Sequence, residues 1–149
     1  MRALVLAGRG SLDSAVAQLI ADAIRLDLGI AVRCPSLGGL TGIGAAAEAE
    51  PDQQPDIVAL VSVGAVTSAQ LELLLRRASS TFPQSRIVVG YWDGGDPRMQ
   101  REGARVRYAE SVTSLMDFVG RTAQELSGEQ EGKPGAEESA RRLEVVTGA

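Results

Sequence analysis

Apolar positions along the 149-residue chain fall into short continuous runs separated by longer stretches with helical spacing. The run at residues 2–7 is apolar after Arg2 and ends at Gly8, Arg9, Gly10 and Ser11, which predicts a buried strand and a tight loop. From Leu12, the residues Leu12, Val16, Leu19, Ile20, Ala23 and Ile24 recur at helical spacing, so they are the expected buried stripe of a helix. Ser11 is its expected N-cap and Gly29 its stop. Residues 30–33 restart a strand, which Pro35 closes. This strand–helix–strand opening predicts a parallel sheet.

Residues 37–50 are rich in Gly and Ala and read as an irregular loop with a weak helix, followed by a turn at residues 51–55. Residues 57–63 form a continuous apolar run, the pattern of a central strand buried on both faces. Thr67 and Gln70 make a capping box for a helix whose stripe is Leu71, Leu74, Leu75 and Ala78, with Arg76 and Arg77 on its solvated side. Phe82-Pro83 ends it. Residues 86–92 predict a fourth strand, and Asp93-Gly94-Gly95-Asp96-Pro97 a loop in which Asp96 caps a short helix opened by Pro97. Residues 104–109 are a shorter, more polar strand suited to a sheet edge. Ser111 caps a last helix with Val112, Leu115, Met116 and Val119 inward. After Leu126 the chain becomes charged and poor in large apolar residues. The expected organisation is therefore an α/β domain over residues 1–126, a five-stranded parallel doubly wound sheet, and a disordered acidic C-terminal tail over residues 127–149.

Composition narrows the chemistry. The chain has no histidine and one cysteine, which removes the usual zinc sites, Ser-His-Asp triads and Cys-His pairs. Cys34 has no partner for a disulfide, which fits a reducing, cytoplasmic compartment. The net charge is −4 and aromatics are only 3%, so the basic footprint and stacking platform of a nucleic-acid binder are missing. No apolar run is long enough to span a bilayer, and MRALVLAGRG reads as a first strand rather than a signal peptide.

In an open doubly wound sheet, ligands sit beyond the carboxyl ends of the strands. The candidate ligand-binding residues there are Arg9, Gly10, Ser11, Ser62, Gly64, Thr67, Gly90, Tyr91, Trp92 and Asp93. The first loop lacks the third glycine of a dinucleotide fingerprint, since Asp13 stands in its place, and it lacks the lysine of a Walker motif. Asp13 suits a helix N-terminus but repels phosphate. Ser62 has no base to activate it, and no catalytic or metal-ligating residue is assigned. Asp93 and Asp96 read as turn formers. A phosphoreceiver domain would need acidic residues where Gly8, Arg9 and Ser62–Gly64 stand. Alternation sends one of Tyr91 and Trp92 into the sheet layer and the other toward the rim.

Over residues 2–120 the order of elements resembles the cobalamin-binding domain, which implies a flavodoxin-like strand order 2-1-3-4-5. That family places Asp-x-His-x-x-Gly after the first strand, Ser-x-Leu after the third and Gly-Gly after the fourth. Here the first place lacks histidine, the second keeps Ser62 of Ser62-Val63-Gly64, and the third keeps Gly90 of Gly90-Tyr91. The resemblance therefore implies a site without its axial ligand, in which Tyr91 fills space left open for the nucleotide tail. Residues 67–92 are also similar to the soluble domain found after the membrane part of some permeases of the autoinducer-two exporter family. They share its helix, its Arg-Phe-Pro-type turn as Thr81-Phe82-Pro83 without the Arg, and the Gly and Trp of its strand end in Gly90-Tyr91-Trp92. That resemblance implies a non-catalytic regulatory or interaction domain with no cofactor, partnered with a membrane permease or its membrane domain and not itself inserted in the membrane. The alternative is a small-molecule binder that accepts a cobalamin or nucleotide without histidine ligation; the ligand is not specified by these residues.

Overall fold

The computed structural model describes residues 1–63, 67–92 and 105–131. Its elements are β1 (Arg2–Ala7), α1 (Gly10–Leu28), β2 (Ala31–Arg33), α2 (Gly39–Ala49), β3 (Ile57–Ser62), α3 (Ser68–Thr81), β4 (Arg86–Tyr91), β5 (Val106–Ala109) and α4 (Val112–Glu131). The five strands are all parallel and lie in the order β2-β1-β3-β4-β5, the expected doubly wound, flavodoxin-like topology. β3 is buried along its whole length and sits at the centre, as its unbroken apolar run requires. The more polar β5 forms one edge.

Strand alternation divides the core into two layers. Val5, Ala59, Val61 and Val88 face α1 and α4, where Ile20, Ile24, Leu115 and Val119 meet them. Leu4, Leu6, Val58, Leu60, Ile87 and Val89 face α2 and α3, where Ile43, Leu71, Leu74 and Phe82 meet them. The small residues Ala17 and Ala21 of α1 are fully covered, which lets that helix lie close to the strands.

Several local expectations are corrected. The buried row of α1 is Asp13, Ala17, Ile20, Ala21 and Ile24; Leu12 and Leu19 are 63% and 68% exposed. The helix is rotated because Asp13 turns inward and is held there, as described below. Ser11 is not the N-cap. The helix begins one residue before it, Arg9 holds the cap position without a side-chain cap, and Gly29 ends the helix as expected. α2 is a regular helix of eleven residues rather than a loop with a weak helix, with Gly42, Ile43 and Ala46 buried. Thr67 and Gln70 do form the capping box of α3. At α4, the Ser111 hydroxyl accepts from the Ser114 N–H at 3.1 Å, and Leu115 and Val119 are buried, but Val112 is exposed. α4 continues past Leu126 to Glu131. Residues 132–149, and the loop with Asp96 and Pro97, lie outside the described residues.

Candidate functional site

Helices α1 and α3 start from neighbouring strands β1 and β3 and run over opposite faces of the sheet. The chain therefore diverges at the carboxyl ends of these two strands and leaves a crevice there. The crevice encloses about 360 Å³ and is lined by Gly8, Arg9, Gly10, Gly38, Gly39, Leu40, Thr41, Gln70, Leu73 and Leu74. Much of its lining is glycine. Gly10 has φ of 86°, which lets β1 turn sharply into α1. At Gly38 a Cβ would stand 3.1 Å from the Ala7 carbonyl oxygen and 3.2 Å from its Cβ, so glycine is what allows the start of α2 to lie against the end of β1.

Leu40 and Leu73, both about half exposed, stand at the crevice. Among the described residues, Arg9 is the one charged member of the lining, and it has no ion-pair partner there. α2 has no side-chain cap and no acidic residue in its first turn, so its N-terminal N–H groups are not met by a side chain of its own. The crevice thus offers a guanidinium, a helix N-terminus and two apolar walls. Its described lining presents no carboxylate, thiol or imidazole.

Asp13 governs the neighbouring loops. It is 1% exposed and has no cationic partner among the described residues. Its Oδ2 accepts from the Arg9 N–H at 2.8 Å and from the Ser62 hydroxyl at 2.9 Å, and its Oδ1 accepts from the Val63 N–H at 2.8 Å. Three donors satisfy the buried carboxylate and join the β1–α1 turn to the end of β3. Ser62 is therefore a structural donor facing inward. Its carbonyl also accepts from the Trp92 N–H at 3.1 Å, which extends the link to β4.

Tyr91 and Trp92 pack on opposite faces: Tyr91 against the α2/α3 layer, Trp92 against the α1/α4 layer. It is Trp92, not Tyr91, that covers Gly90. A Cβ at Gly90 would lie 2.6 Å from Cζ2 of the indole, and the indole N–H donates to the Ala109 carbonyl at 3.0 Å.

Of the ten candidate residues, Arg9 and Gly10 line the crevice. Ser11 is exposed on α1 and does not line it. Ser62, Thr67, Gly90 and Trp92 are taken up in hydrogen bonds, a cap or close packing, and Tyr91 lies against the core. Gly64 and Asp93 lie outside the described residues. Gly38, Gly39, Leu40, Thr41, Gln70 and Leu73 were not anticipated. Their one signal in sequence is the Gly38-Gly39 pair, which marks a close backbone approach as readily as an irregular loop.

No protein-family model matches the sequence, and no curated protein matches it. Among solved structures, the chain is similar to a cobalamin-binding protein from Desulfitobacterium hafniense DCB-2, at 15% identity and a TM-score of 0.58. The match covers 81% of this chain and 58% of that one, so the chain matches little more than half of that protein's length. This places the chain in a cobalamin-binding-like α/β fold.

Proposed function

We propose that this chain is a non-catalytic regulatory domain that binds a small molecule in the crevice between the β1–α1 turn and the starts of α2 and α3. The observation that carries the reading is the crevice itself. It lies where open parallel sheets hold ligands, with Arg9 for an anionic group and Leu40 and Leu73 for an apolar part. The fold of a cobalamin-binding neighbour supports a ligand-binding role.

The residues do not fit a histidine-ligated cobalamin. The sequence contains no imidazole, and the Trp92 indole fills the space above Gly90 on the α1/α4 side. Catalysis is disfavoured because Asp13 and Ser62, which join the loops beside the crevice, are bonded to one another and buried. The resemblance of residues 67–92 to a permease-linked domain supports attachment to a membrane permease and a cytoplasmic setting. No helix among the described residues is long and apolar enough to cross a membrane. A polytopic membrane protein encoded immediately upstream would support that association, and unrelated neighbours would count against it.

The test is a titration of the isotope-labelled chain with hydroxocobalamin, cyanocobalamin and adenine nucleotides, followed by amide resonances. Binding should shift Gly8, Gly10 and Gly39, leave the cobalt absorption bands where they lie in free solution, and be lost in Leu40→Glu/Leu73→Glu. Absence of saturable shifts at the crevice with every one of these ligands would overturn the assignment.

A further inference from the structure

A second cavity, of about 560 Å³, runs beside β5 under α4, remote from the crevice. Its described lining includes four arginines, Arg86, Arg105, Arg107 and Arg121, and a single acid, Glu125. Strand alternation explains the gathering. Val88 is paired with Arg107, and the Ile87 N–H bonds the Arg105 carbonyl, so Arg86, Arg105 and Arg107 share the face on which Val88 and Ala109 meet α4. α4 adds Arg121 from above.

Arg86 and Arg105 also brace the fold. Arg86 pairs with Glu125, which ties β4 to α4. Arg105 donates to the Phe82 carbonyl at 2.9 Å and to the Ser85 carbonyl at 3.1 and 3.2 Å, which closes the turn between α3 and β4. Arg121 has no ion-pair or hydrogen-bond partner among the described residues. Like charges gathered on one sheet face repel, and here they gather on a chain whose net charge is −4. The half-buried Phe118 supplies a flat apolar wall between α4 and the strands, and Tyr108, Ser114 and Thr122 add hydroxyl-bearing side chains to the lining.

We propose that this groove is a second ligand site, for a small molecule bearing a phosphate group. Guanidinium groups match phosphate oxygens in fork geometry and remain charged at all working pH. The volume lies within the range of about 300–1,000 Å³ usual for small-molecule sites. Phe118 beside the cations favours a phosphate carried on an apolar or planar body over the bare ion. The site is independent of the crevice: it shares none of its lining residues.

The experiment titrates inorganic phosphate, inorganic pyrophosphate and adenosine monophosphate into the full chain at low ionic strength, with amide resonances as the readout. Saturable shifts should appear at Arg107, Ala109, Ser114 and Arg121, and adenosine monophosphate should bind more tightly than inorganic phosphate. Arg107→Gln/Arg121→Gln should weaken binding at least tenfold while the chain still melts cooperatively. The charge-matched Arg76→Gln/Arg77→Gln, on the exposed side of α3, should bind as the parent chain does. Absence of saturable binding, equal weakening in both double variants, or shifts confined to the crevice would each overturn the proposal. If Arg107→Gln/Arg121→Gln does not fold, Arg121→Gln alone decides: unchanged affinity in a folded single variant refutes the site.

Discussion

Asp13 and Ser62 stand 49 positions apart in the chain and share a 2.9 Å hydrogen bond in the interior. The same carboxylate holds the backbone N–H groups of Arg9 and Val63. One side chain thus sets the spacing of the two loops at the topological switch point, and its inward turn sets the rotation of α1.

Replacing Asp13 should therefore cost more than replacing Ser62. Asp13→Ala leaves two backbone donors without their acceptor, at about 1–3 kcal/mol each when buried. Ser62→Ala removes one donor from a carboxylate that keeps two, at about 1 kcal/mol. Urea unfolding of the two variants measures the order, and an Asp13→Ala variant as stable as Ser62→Ala would contradict the bridging role.

Gly90 and Trp92 should be coupled. A methyl group at Gly90 cannot coexist with the indole where it lies, so Gly90→Ala should destabilise by about 1–3 kcal/mol and shift the emission of the single tryptophan to the red as the ring is displaced. In a Trp92→Ala background the same substitution should cost far less. A double-mutant cycle with no interaction energy would show that the ring does not rest on Gly90.

The Cys34 thiol should titrate late. Its partial burial raises it above the ordinary value of 9.0, with Arg25 opposing the shift and Asp22 adding to it. Because the folded value lies above the unfolded one, the protein gains from the neutral thiol below about pH 9 and loses that gain as pH climbs through the folded value. The rate of alkylation by iodoacetamide against pH should have its midpoint at higher pH in the folded chain than in urea. Coincident midpoints would remove the burial argument.

Deleting residues 127–149 should change stability by less than about 1 kcal/mol, although it shortens α4. Thr122 is the last fully buried side chain described on that helix, and Ser127 and Gly128 are exposed. A loss above about 2 kcal/mol, a large share of ordinary domain stability, would show that the removed segment covers part of the core.

The succession of elements, the parallel sheet and the capping box at Thr67 were legible in the chain, because each is a local consequence of spacing and residue type. The central strand was legible too, since a strand covered on both faces needs no alternation, and 57–63 shows none. The face that α1 buries was not. Leu12 and Leu19 fit an apolar stripe as well as Ala17 and Ala21 do, and hydrophobicity alone favours the larger residues. What decides is a buried carboxylate, two of whose three donors, the Ser62 hydroxyl and the Val63 N–H, come from the end of β3, contacts no local window contains. The crevice followed the same division. Sequence placed it at the carboxyl ends of the strands and identified Arg9 and Gly10. Only the tertiary structure brought Gly38–Thr41 and Leu73 to that place and withdrew Ser62 and Trp92 from it, because those choices depend on which side each crossover takes and on which polar groups find partners inside.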